Sequence, residues 1–281
     1  MSESIRRRGT PLGEFLSAAS LATIAHCFRM GWREAWTRKT LLASLFFAYA
    51  VLIGVWASVW FMVPATALEK IGIREAEIVW YFALTELVVF AMGHLYRDVE
   101  EDIRSGQMTM FFVRPVSYVA LKGAEWLGHC CLRLCVFLPG VAIVAAAITG
   151  EVPVTGRGWL SLPLLLVLGS VVGILIQVMV GLSAAWFRSA RPQWMIVQKC
   201  AFVLGGMVLP ITFYPDALQI VAWATPFPAL LFAPASVVLD SSRDHIAGIL
   251  ALQICWIFVC AGALWIVKAR FEQHLLLRGE L

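Results

Sequence analysis

The side chains able to do chemistry in this chain are few and gathered in one stretch. Residues 97–125 read RDVEEDIRSGQMTMFFVRPVSYVALKGAE, with Asp98, Glu100, Glu101, Asp102 and Arg104 in one run, then Gln107, Phe111 and Arg114. Carboxylates grouped this way act as metal ligands, as general acids and bases, or as contacts to another protein. A metal needs convergent ligands. His94 and Asp98 stand one helical turn apart and His129 follows in the next helical stretch, but no compelling further ligand joins them, so no metal site is expected. Catalysis is not signalled either: HExxH, HxxxxD and GxSxG are all missing. Nor is there a GxxxxGK[ST] loop to cradle nucleotide phosphates, and the dipeptide Gly-Lys does not occur. Contact with a partner is the remaining reading. The apolar group Met108, Met110, Phe111, Phe112 and Val113 inside a charged rim supports it, because such side chains would otherwise face water uncovered.

Two further ionisable groups, Glu86 and Arg133, fall inside long apolar runs, where a charge at mid-bilayer costs ~2.5–3.5 kcal/mol. At helical rise Glu86 sits ~12 Å below one membrane face and Arg133 ~10 Å above the other. They are expected either to pair near the midplane or to line a pathway that substrate touches.

The elements that position these groups follow from composition. Hydrophobic residues make up 60% of the 281 and charged residues only 14%, with a mean hydropathy of +0.81. Soluble domains are nearer ~45–50% apolar, so lipid is the solvent for most of this chain. A helix crossing the hydrocarbon core needs about 20 apolar residues. Six windows qualify, at 41–63, 78–96, 126–149, 159–187, 194–212 and 246–267. The runs are continuous rather than alternating, which selects helices over a barrel. The expected fold is all-α, an integral membrane domain of six transmembrane helices.

Cation placement sets the orientation. Lys70, Arg74, Arg157 and Arg243 fall on one side, leaving 18 of the 22 Lys and Arg on or near the other, which is therefore cytoplasmic and holds both termini. The net charge of +4 reflects this bias, and no nucleic-acid partner is expected. The seven cysteines show no CxxC spacing and read as apolar filler. The N-terminal arginine cluster lacks an apolar run directly after it, so it does not read as a cleaved signal peptide.

Around the spans, residues 1–40 form a cytoplasmic N-terminus with an amphipathic helix. Leu21, Ile24, Ala25, Phe28, Trp32, Ala35 and Trp36 share one face, and His26, Arg29, Arg33, Glu34, Thr37 and Arg38 the other. Aromatics opposite arginines suit a helix lying in the inner membrane interface. The second helix is expected to run on past Tyr96 to a cap at Gly106, and Ser117 to cap the third. Residues 213–240 are apolar but broken by prolines. With Pro210 just before and Pro215, Pro226 and Pro228 within it, the segment is expected to dip into the outer leaflet and return, capping a pathway. The glycines Gly169, Gly173 and Gly181 allow close helix approach, within the chain or between subunits.

Together these features resemble the permease subunit of type-2 ABC exporters. IRSGQMTMFFVRPVS, from Ile103, is similar to that family's coupling segment, and LPITFYPDALQIVAWATPFPALLFAPASVVL, from Leu209, to its re-entrant outer helices. The RP-V-S turn and F-YP…PF run favour the branch often encoded as paired permeases beside one ATPase. The resemblance implies a permease that forms half of a translocation pathway in the bacterial cytoplasmic (inner) membrane. Its partners would be two copies of an ABC ATPase subunit, which bind the ATP and Mg, and a second permease, identical or related. This chain would bind no cofactor itself. Residues 97–123 would be the coupling segment, 41–268 the transmembrane domain and 269–281 a cytoplasmic tail. An ion-coupled secondary transporter and an integral-membrane enzyme are the alternatives.

Overall fold

The computed structural model describes residues 18–64, 68, 72–108, 117–153, 156–187, 189–207 and 209–278. Phe111 and Arg114, with the rest of the expected apolar group beyond Met108, lie outside them. Among the described residues the regular structure is all helical. In order these are α1 (Ala18–Thr37), α2 (Lys39–Trp60), α3 (Glu75–Met92), α4 (Leu95–Arg104) and α5 (Tyr118–Thr149). There follow α6 (Gly156–Leu182), α7 (Arg191–Leu204), α8 (Asp216–Trp223), the irregular α9 (Pro228–Val238) and α10 (Arg243–Arg278).

Among the described residues five helical stretches are long and apolar enough to cross a membrane: Lys39–Trp60, Glu75–Arg104, Tyr118–Thr149, Gly156–Ala185 and Arg243–His274. α8 and α9 make a sixth only if the pair, bent by 85°, is one span. The chain is a multi-pass membrane protein. Its second and fourth stretches form the centre, being 78% and 67% buried, whereas α2, α5 and α10 surround them and expose apolar side chains such as Phe47, Ile143 and Phe258. Such a surface is what lipid accepts and water does not.

Two sequence expectations change. The window at 194–212 yields only the 14-residue α7, about 21 Å at helical rise, which stops at Leu204. Gly206 takes φ +70°, and Tyr81 on α3 donates its hydroxyl to the Gly206 carbonyl at 2.5 Å. The turn is thus fixed from outside, and a side chain at Gly206 would meet Ile211 and Tyr81. The second helix, expected to continue unbroken to Gly106, instead breaks at Gly93, where φ is +61°. The cap at Gly106 is present, with φ +71° after α4. Ser117 does begin α5, although its side chain makes no capping hydrogen bond.

The helix glycines serve packing inside this chain. On α6, Gly169 faces the Leu230 carbonyl and Gln253, Gly173 faces Met92, and Gly181 faces Val99. Each lets a neighbouring element lie against α6 with no side chain between.

Candidate functional site

The break at Gly93 releases carbonyls at the end of α3, and side chains from α5 take them. Trp126 Nε1 donates to the Met92 carbonyl at 2.6 Å and Arg133 Nη1 to the Ala91 carbonyl at 3.2 Å. A guanidinium at a helix C-terminus also meets the negative end of the helix dipole. On the far side of the break, the Tyr96 amide donates to Gln177 Oε1 on α6 at 3.4 Å. These three backbone groups at the change of direction thus find side-chain partners, as buried polar atoms in lipid demand. This arrangement replaces the expected Glu86–Arg133 pair: Arg133 is spent on the break, and no ion pair joins it to Glu86. Glu86 itself is buried, 3% exposed, beside Tyr49.

Beyond the break, α4 has two faces. Leu95, Tyr96 and Val99 are buried, and so is Glu100. Glu100 Oε2 accepts the Ala190 amide at 3.1 Å, and its Oε1 pairs with Arg104 Nη2 at 2.7 Å. Ala190 is the residue before α7, so Glu100 fastens α4 to the α6–α7 turn. Asp102 is similarly drawn inward: Tyr118 donates to its Oδ2 at 2.6 Å and Lys122 lies 3.5 Å away, both on the first turns of α5. Glu100 and Asp102, expected on a docking surface, are thus clasps within the molecule. Asp98 is half-buried. The outward face consists of Arg97, Glu101, Arg104 and Gln107, all exposed. Met108, expected in the exposed apolar group, is buried in the core instead.

α1 packs across α5 rather than standing clear of the bundle. Gly31 meets the Glu125 carbonyl and Gly128 meets the Phe28 carbonyl, leaving no space for a Cβ at either position. Phe28 and Trp32, with ring centroids 6.4 Å apart, are half-buried along this contact, while Arg29, Arg33 and Trp36 are exposed. Glu34, placed by periodicity on the polar face, turns toward α5. Its Oε1 pairs with Arg38 at 2.5 Å and its Oε2 lies 3.4 Å from His129 Nε2.

At the opposite end Arg74 bonds Glu77 and Glu151, and the proline-broken segment sits nearby in the core. Pro210 and Pro228 are buried, Pro226 is half-buried, and Pro215 is exposed at the start of α8. All of Pro228–Val238 is buried. Gln253 Nε2 on α10 donates to the Ala229 carbonyl at 3.0 Å and the Leu165 carbonyl at 2.9 Å, holding the irregular turn against α6. Sequence reasoning missed Gly93, Gly31, Gly128 and Gly206. Their signal is the glycine itself, whose role shows only when its neighbour in space is known.

Among the described residues the polar groups at these contacts join helices, and α4 turns the charged side chains of Arg97, Glu101 and Arg104 outward. The family described as ABC-2 family transporter protein matches residues 72–271, which span α3 to α10. No curated protein matches the chain. The match covers well over half of the sequence and includes every clasp described above except those made by α1, so the chain belongs to the ABC-2 family of transporter membrane proteins.

Proposed function

We propose that this chain is the membrane-spanning permease subunit of an ATP-driven exporter, and that α4 with the segment to Arg114 receives force from a separate ABC ATPase. Family membership implies an ABC ATPase partner, and this chain lacks a nucleotide-binding loop of its own. The observation that carries the reading is the division of α4. Its outer face, Arg97, Glu101 and Arg104 with Gln107 just beyond, is exposed and bears charge, while Glu100 and Asp102 tie α4 to the α6–α7 turn and to α5. A push on the outside of α4 therefore reaches two other helices, with Gly93 as the flexure between α3 and α4.

In this reading the short α7 completes a sixth crossing, so both termini and α4 are cytoplasmic; the membrane is the bacterial inner membrane, and α1 lies at its inner interface. The bend of α8 and α9 is a re-entrant cap on the outer side, supported by the complete burial of α9, since irregular backbone at membrane depth survives only when covered. Two permeases and two ATPases would make the working pump. The test is charge reversal on the outer face. Glu101→Lys with Arg97→Glu should abolish ATP-driven export from reconstituted vesicles while the permease still folds; undiminished export by that double variant would defeat the assignment.

A further inference from the structure

The contact between α1 and α5 brings three metal-ligating side chains together. One ligand atom each from Glu34, Glu125 and His129 lie within 4.8 Å of one another. Chain order conceals the set: Glu125 and His129 are one turn apart on α5, but the third ligand comes from α1, some ninety positions earlier. His129 is 5% exposed, and its Nε2 points into this group without a hydrogen bond. Its distance of 3.4 Å from Glu34 Oε2 is close to the ~3.3 Å edge of a tetrahedron whose ligands lie ~2.0–2.2 Å from a zinc ion.

We propose that Glu34, Glu125 and His129 form a divalent transition-metal site that staples α1 to α5. Two carboxylates and an imidazole suit zinc or manganese, and the two negative charges balance a divalent ion. The ligands are held from behind, as outer partners hold metal ligands elsewhere. Arg38 grips Glu34 Oε1, Lys122 lies 3.7 Å from Glu125 Oε2, and the His129 ring stacks on Trp126 at 5.1 Å with 10° between planes. Gly31 and Gly128 set the helix separation at which the three side chains meet.

The full-length chain, purified in detergent through an affinity tag without histidines and stripped with a chelator, is titrated with zinc chloride. One zinc per chain should bind, raise the melting temperature by several degrees and be removed by chelator. His129→Ala and Glu125→Gln, checked for native helix content by circular dichroism, should each weaken zinc binding about tenfold or more. Zinc-edge X-ray absorption of the wild-type protein should show a nitrogen and oxygen shell with one imidazole, a reading that stands even where a variant fails to fold. Absence of bound zinc, unchanged affinity in both folded variants, or a shell containing sulfur from the cysteines would each overturn the site.

Discussion

Glu100 uses its two oxygens for two different connections, one along α4 to Arg104 and one across to the Ala190 amide. Hydrogen bonds involving a charged group contribute roughly 1.5–3 kcal/mol when well formed and little exposed. Glu100→Ala should therefore lower stability by about 1.5–3 kcal/mol, read as a fall in melting temperature in detergent. Glu100→Gln keeps an acceptor for Ala190 and should lose less; equal losses would mean that the Ala190 contact contributes nothing. Gly93 and Gly106 offer a second comparison, since both have positive φ but only Gly93 is crowded, by Arg133 and Trp126. Gly106→Ala should cost the backbone strain alone, roughly 1–2 kcal/mol, whereas Gly93→Ala adds displacement of the Arg133 guanidinium. Thermal melts that rank Gly106→Ala as the more damaging would contradict the clamp. The sequence discloses Gly106 and hides Gly93 for one reason. Gly106 follows a charged helix end with Arg104 and Ser105, whereas Gly93 sits between Met92 and His94-Leu95 in a run that reads as an unbroken span.

Elements were legible in proportion to the uniformity of their surroundings. Helices α2, α5 and α10 face lipid on one side and α6 lies in the apolar centre, so apolar length alone identifies all four. α7 was over-read because residues 205–209, GGMVL, extend the apolar run past the Gly206 turn that Tyr81 fixes. The wheel for α1 found Ile24, Phe28, Trp32 and Ala35 but set Glu34 outside, since two glycines carry no periodic signal and yet decide which side of the helix meets α5. Leucine in place of Gly31 or Gly128 should force the helices apart and expose the 18–37 segment; a protease-cleavage pattern identical to wild type would show that the close approach is dispensable. For the bent pair, Gln253→Leu removes both donations to α9 and α6 while keeping the volume. Inter-helix bonds within membranes average about 0.6 kcal/mol, so a loss near 1 kcal/mol in stability, measured by unfolding in detergent with denaturant, is expected. No loss would leave α9 held by packing alone.

At the level of the whole molecule, composition and apolar length identify a multi-pass helical membrane protein. The family match adds a transporter role. In the proposed function the two are connected by α4, whose inner side is tied into the bundle and whose outer side faces away from it. The reading stands or falls on which partner touches that outer side. Photo-crosslinking groups placed at Gln107 and at Val152, both exposed and at opposite ends of the bundle, would report it in cells that express the complete transporter. The account predicts a covalent adduct between position 107 and an ABC ATPase subunit and none from position 152. An ATPase adduct from position 152, with position 107 left unmodified by it, would show that the ATPase docks elsewhere than on α4.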